Sequence, residues 1–194
     1  IKILPDGSIP QVEITSCGFD QEYLQAEGSY PAVIACNITN GNMPHGSNRI
    51  FDTHFPNVTN SGEERYIGEI ADGTLIGYKY FAYPKDSLSF KITYTGTGEG
   101  KFYVLAQRLP ETILKQKDMC DYIEQNANGE LVIIRNSDSV SAEVLQDGET
   151  LQGEGKIAWE LAEGRLTGLS ADGPLYLVYR GSGEISVQSL IFES

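Results

Sequence analysis

Three sets of residues in this chain have the types that chemistry needs. The first is its acids: cleavage of a glycosidic bond takes two carboxylates facing each other across a sugar, and 27 Asp and Glu residues make some such pair inevitable by chance. Asp6, Asp72, Asp147 and Asp172 each precede a glycine, where a short acid serves turn geometry, so no acid pair stands out as catalytic. The second set is His45, Asp52 and His54, which could ligate a metal or relay a proton. Their spacing matches no metal motif, and exposed loop histidines are the commoner reading. The third set is aromatic: Tyr78, Tyr80, Phe81 and Tyr83 crowd one stretch, and Trp159 is the single tryptophan. Flat rings stack under the C–H faces of neutral sugars, with a few amide or carboxylate hydrogen bonds fixing the orientation. Core packing competes for the same rings. In a regular strand Tyr78 and Tyr80 would share one face and Phe81 and Tyr83 the other, and one face must be buried. The chain has no G-x-S-x-G, Walker loop or G-x-G-x-x-G.

The elements that would position these residues read as strands. Residues 1–4 and 9–15 flank Pro5-Asp6-Gly7-Ser8, which predicts an opening β-hairpin. The run YPAVIACNI at 30–38 predicts a continuous buried strand, and the Asn/Gly/Pro-rich stretch 39–64 a long loop. Strands follow at 65–70, 74–83, 87–95 and 101–107. Within 87–95, Leu88, Phe90, Ile92 and Tyr94 fall on one face, and together with Tyr176 and Val178 they are expected between two sheets. Gly96-Thr97-Gly98-Glu99-Gly100 reads as a hairpin turn between two of these strands. A short helix is plausible only over 109–123, and strands return at 130–135, 141–145, 157–161, 175–180 and 185–192. Short strands at this spacing predict one all-β domain, an antiparallel sandwich of the jelly-roll type.

Composition narrows the partners. Lys and Arg total 14 against 27 acids, and the net charge of -13 repels a nucleic-acid backbone or an anionic membrane surface. No apolar run approaches the roughly 20 residues of a membrane helix. The start at Ile1, without methionine or a signal-like stretch, gives the expectation of a mature or excised piece of a longer protein. Cys17, Cys36 and Cys120 have no C-x-x-C spacing; a Cys17–Cys36 bridge and a set of buried thiols both remain open, the thiols being commoner. Asn37-Ile38-Thr39 and Asn57-Val58-Thr59 match the glycosylation sequon, a triplet that also arises readily by chance.

Two segments carry a family resemblance. Asp72-Gly73-Thr74-Leu75-Ile76-Gly77-Tyr78-Lys79-Tyr80-Phe81, and Gly173-Pro174-Leu175-Tyr176-Leu177-Val178-Tyr179-Arg180-Gly181 followed by 185–192, resemble the C-terminal module of family 43 glycoside hydrolases. That module is similar to family 6 carbohydrate-binding modules, which are β-sandwich jelly rolls. The opening Asp6-Gly7-Ser8-Ile9-Pro10-Gln11-Val12-Glu13 resembles the hairpin that closes the catalytic propeller of such enzymes, and 30–37 resembles the module's first strand. The resemblance implies that residues 1–17 end an upstream catalytic domain, that residues 18–194 form the carbohydrate-binding-like sandwich, and that the catalytic acids lie upstream of Ile1.

A non-catalytic accessory module of an extracytoplasmic enzyme acting on arabinose- or xylose-containing plant polysaccharide is then expected, with neutral glycan and the upstream domain as partners. Lining up the motifs places Leu75 where sugar-binding members carry a ring, and Lys156 and Trp159 near a second ring position. An Asn and a calcium-binding Asp of the last strand are replaced by Ser186 and Gln188. No cofactor is expected, since Gln188 lacks the anionic oxygen that a structural calcium prefers. Trp159 is the expected stacking platform, with Tyr78 or Tyr80 behind it. A structural module that steadies its parent enzyme is the alternative, and an independent hydrolase has least support.

Overall fold

A computed structural model describes residues 3–9, 14–18, 22–40, 55–106, 123–125, 131–133, 143–144 and 159–193. Within them run β1 (Leu24–Gln25), β2 (Gly28–Pro31), β3 (Asn37–Thr39), β4 (Asn57–Ser61), β5 (Glu64–Ile70), β6 (Leu75–Ala82) and β7 (Ser87–Thr97). They continue with β8 (Gly100–Leu105), β9 (Ile123–Gln125), β10 (Leu131–Ile133), β11 (Glu143–Val144), β12 (Glu160–Thr167), β13 (Asp172–Gly181) and β14 (Glu184–Glu193). Sheet A has the order β1-β6-β13-β8-β11 with β3 also on β6; sheet B has the order β12-β7-β14-β5-β4 with β2 on β14. Only the β1–β6 pair among them is parallel. The chain is an all-β, antiparallel sandwich, as its short alternating strands predict. The region read as a helix, 109–123, lies outside the described residues except for Ile123, which opens β9.

Rings from both sheets tie the sandwich together. Phe81 of sheet A lies 4.8 Å from Phe192 of sheet B, which in turn lies 5.1 Å from Phe90. Toward the other end, Tyr94 of sheet B meets Phe102 of sheet A at 6.2 Å, and Phe102 meets Tyr179 at 5.2 Å. Leu88, Phe90, Ile92 and Tyr94 all belong to this inter-sheet core, as the alternation of β7 predicts. On β13 the expected register is corrected. Leu175, Leu177 and Tyr179 join the core, whereas Tyr176 and Val178 are buried on the opposite face with their cross-strand partners Leu75, Tyr103 and Leu105. β13 lies between β6 and β8 and is buried on both sides. A strand in that position has no polar face to reveal its phase.

Two further expectations change for one reason, the crossing of the chain between sheets. The apolar run 30–38 is two short strands: β2 pairs with β14 in sheet B, the 3-10 turn Ala32–Ile34 follows, and β3 pairs with β6 in sheet A. It is apolar because it passes along the core, with Ala32 fully buried. The glycine-rich 96–100 segment likewise joins β7 of sheet B to β8 of sheet A and closes no two-stranded hairpin. It packs on the β13–β14 turn, which also changes sheets. Ser182 N–H donates to the Glu99 carbonyl at 2.8 Å, and Glu99 N–H to Ser182 Oγ at 3.1 Å. A Cβ on Gly183, at φ 78°, would stand 1.7 Å from the Thr97 carbonyl oxygen, so the corner closes only with glycine.

At the N-terminus the turn at Pro5–Ser8 is present. Leu4 N–H donates to the Ser8 carbonyl at 2.8 Å, and Asp6 Oδ1 accepts from both the amide and the hydroxyl of Ser8. Those bonds hold the Asp6 carboxyl below the usual carboxylate range. Ile3, Ile9 and Ile14 are exposed.

Candidate functional site

The single tryptophan stands at the start of an aromatic corner on the outer face of sheet B. Trp159 immediately precedes β12 and is half-buried. Its indole N–H donates to Glu64 Oε2 at 3.2 Å, and its ring meets that of Tyr66 at 5.5 Å and 65°, close to edge-on. Tyr66 faces outward because its neighbour Ile67 is fully buried in the core. Two residues on, Gly68 is buried beneath its neighbours on the same face. A Cβ there would meet Thr59 Cγ2 at 3.3 Å, Tyr66 Cε2 at 3.4 Å and Ser186 Oγ at 3.6 Å. Trp159 and Tyr66 thus make an L-shaped apolar corner, with Glu64 on the indole and Thr59 and Ser186 beside Tyr66 over Gly68. The carboxylate and hydroxyls can exchange hydrogen bonds with a polyol, and the rings can carry its C–H face.

A bulge bends the strand that carries this corner. Val187 pairs with Ile67 and Ile185 with Ile70, so β5 takes three steps where β14 takes two. Glu69 occupies the extra position at φ 57°, the left-handed region that favours glycine.

The other two expected platforms stand elsewhere. Tyr78 is corrected: its ring is fully buried between the sheets and offers no face to a ligand. Burial, with a smaller contribution from Cys36, pushes its phenol far above the usual tyrosine range, and its hydroxyl has no hydrogen-bond partner among the described residues. Tyr80 is half-buried and lies 5.1 Å from Tyr23, at a tilt of 43°. A bulge separates these two tyrosines. Tyr78 pairs with Leu175 and Phe81 with Gly173, so β6 gains a residue over β13, and Phe81 and Tyr83 turn onto the same inner face as Tyr78. Tyr80 sits on sheet A and Trp159 at the edge of sheet B, so the structure does not bring them into one site.

Leu75 is fully buried, and Ser186 packs against Gly68. His45, Asp52, His54, Cys120 and Lys156 lie outside the described residues. Among the described residues no group of three His, Cys, Asp or Glu is arranged to hold a metal, and no helix is long and apolar enough to cross a membrane. Tyr66 and Glu64 are the residues that sequence reasoning missed. The alternation of Tyr66, Ile67 and Gly68 was a signal for an outward ring, but nothing in sequence joins it to Trp159.

No protein-family model matches the chain. It is 42% identical over 112 residues to a xylosidase/arabinosidase of Thermoclostridium stercorarium, a match covering 54% of this chain and 24% of that protein. The chain therefore spans about a quarter of that relative's length. Among solved structures it is similar to a family 6 carbohydrate-binding module from Clostridium cellulolyticum in complex with xylose. The TM-score there is 0.53 at 13% identity, over 88% of this chain and 99% of that one. It is also similar to a family 43 arabinoxylan arabinofuranohydrolase from Bacillus subtilis in complex with cellotetraose, with TM-score 0.53 at 16% identity, over 98% of this chain and 32% of that one. The chain is thus a β-sandwich with the fold of family 6 carbohydrate-binding modules, and the resemblance carried by its motifs holds in sequence toward a xylosidase/arabinosidase and in structure toward those modules and a family 43 enzyme.

Proposed function

We propose that this chain is a non-catalytic accessory module of a glycoside hydrolase acting on arabinose- or xylose-containing plant polysaccharide outside the cytoplasm, and that it binds neutral glycan weakly on Trp159. The observation that carries the reading is the Trp159–Tyr66 corner, held by the Glu64 hydrogen bond on the face of sheet B. The xylosidase/arabinosidase relative and the xylose complex of the similar module support the choice of sugar. The resemblance to family 43 enzymes supports catalytic acids in an upstream domain, and no acid pair in this sequence stands out as a nucleophile and proton donor.

Affinity is set by ring stacking and a few exposed hydrogen bonds, and Leu75 supplies no second ring, so dissociation constants in the millimolar range, about 4 kcal/mol of binding, are expected. The net charge of -13 with Glu64 beside the indole disfavours uronic-acid chains at low salt, and it disfavours nucleic acid as a partner. Little dependence on calcium is expected.

Calorimetry with xylan, arabinan and polygalacturonate oligosaccharides tests this. Trp159→Ala should abolish binding of the neutral chains and leave the melting temperature nearly unchanged. Binding that survives this substitution, or a preference for polygalacturonate, overturns the site. Turnover of an arabinoside or xyloside by the pure chain overturns the non-catalytic assignment.

A second reading, a module that packs on its parent enzyme and steadies it, is favoured by the exposed Ile3, Ile9 and Ile14 around the N-terminal turn. In that case removal of the module lowers the parent's stability, and glycan titrations of the isolated chain stay flat.

A further inference from the structure

The edge of β6 that faces away from β13 is lined by three separate segments, and the two described cysteines both touch it. β3 covers Leu75–Gly77, and β1 runs beside Phe81 and Ala82. Between them, Cys36 donates its amide N–H to the Gly77 carbonyl at 2.9 Å and its thiol to the same oxygen at 3.4 Å. Ser16 then docks on Lys79: its amide donates to the Lys79 carbonyl, and its Oγ accepts the Lys79 N–H at 3.1 Å. The Cys17 thiol lies 3.6 Å from the Lys79 carbonyl and 3.6 Å from that of Tyr80. Cys36 therefore touches this edge at Gly77 and Cys17 at Lys79 and Tyr80, and both are thiols in this structure.

We propose that Cys17 and Cys36 form a disulfide when the chain meets an oxidant of the glutathione-disulfide class, and that this bond clips the N-terminal segment to the sandwich. The thiolate of the half-buried Cys36 attacks one sulfur of the oxidant and releases one thiol. Cys17, as thiolate, displaces the second glutathione from the mixed disulfide. Two protons and two electrons leave the protein, one S–S bond forms, and the oxidant's S–S bond is reduced to two thiols. The bridge spans the short loop 18–35, and its benefit is the entropy removed from the unfolded chain. Residues 14–17 meet β6 through the Ser16 and Cys17 contacts, and the covalent clip would add a bond to that docking. In an oxidising compartment the clip is permanent; in a reducing one it is open.

The test uses the whole chain and its Cys120→Ser variant, each incubated with glutathione disulfide and digested without reduction. The expected result in both is one cross-linked peptide pair containing Cys17 and Cys36, with a melting temperature raised by roughly 5–10 °C. Dithiothreitol should reverse the shift, and Cys17→Ser and Cys36→Ser should lack it. Two separate glutathione adducts, thiols that both stay alkylatable, or a bridge from Cys17 or Cys36 to Cys120 in the unsubstituted chain would each overturn the proposal.

Discussion

The two outer faces of the sandwich differ in kind. On sheet A, Leu75, Tyr103, Leu105, Tyr176 and Val178 are buried on the side away from the inter-sheet core. On sheet B the outer face carries polar cross-strand pairs. Thr93 Oγ1 and Ser189 Oγ are 2.7 Å apart, and Lys91 bridges to Glu193 at 2.7 Å and Glu163 at 3.9 Å. The same face bears the Trp159–Tyr66 corner. Residue type therefore says little about the role of a ring in this molecule; the sheet and the face decide. Tyrosine is core at 78, second-face packing at 176 and candidate ligand surface at 66.

Substitutions that treat the faces alike should separate them. Phe192→Ala removes a ring packed on Phe81, Phe90 and Tyr30 and should cost about 3–5 kcal/mol in urea unfolding. Leu105→Ala, on the far face of sheet A, should cost about 2–5 kcal/mol, comparable to a core position. Thr93→Ala on sheet B should cost about 1 kcal/mol or less, because a half-buried hydroxyl pair contributes little net. If Leu105→Ala proved as mild as Thr93→Ala, the contrast between the faces would be lost.

Legibility followed the same divide. β7 shows strict alternation because its outer residues are polar, so its four core positions could be assigned from sequence. β13 reads Leu-Tyr-Leu-Val-Tyr, apolar on both sides, and its phase could not be. The 30–38 run and the 96–100 glycines showed burial and a tight bend, but no local signal tells a return within a sheet from a step between sheets. Half the candidate site was legible: the lone Trp159 drew attention by its chemistry. Tyr66 did not, since its partnership spans β5 and β12, which lie at separated places in sheet B. The Tyr78–Tyr80 face failed because a bulge changed the phase between them.

The buried phenols sharpen the comparison further. Tyr78→Phe should leave stability unchanged or raise it by about 1 kcal/mol, since it removes a buried hydroxyl without a described partner. Burial holds both Tyr78 and Tyr83 protonated in the fold above the usual tyrosine range, while the unfolded chain ionises near pH 10. Above that pH the unfolded state binds fewer protons than the native one, so stability must fall as pH rises. Below it these groups contribute no slope. Denaturant melts between pH 8 and about 11 should show this fall, and Tyr78→Phe should make it shallower. On sheet B the smallest effect is expected at the β5 bulge: Glu69→Gly should gain about 0.5–1 kcal/mol by relieving a left-handed residue. A loss there, in the same melts, would mean that the Glu69 side chain contributes to the face.

The corner where the two sheet-changing turns meet carries a consequence for how such a chain can vary. Surface turns are ordinarily where a protein accepts length changes, tags and grafted sequences. Here Gly98 and Gly183 bring two turns so close that a Cβ on either would stand 2.3 Å or 1.7 Å from a carbonyl oxygen of the opposite turn. An insertion in one turn would have to be answered in the other. For engineering, and for drift among descendants of this sequence, the tip that looks most permissive is closed, and variation is left to turns that face no second turn, such as that between β4 and β5, where a Cβ on Gly62 meets nothing within 4 Å.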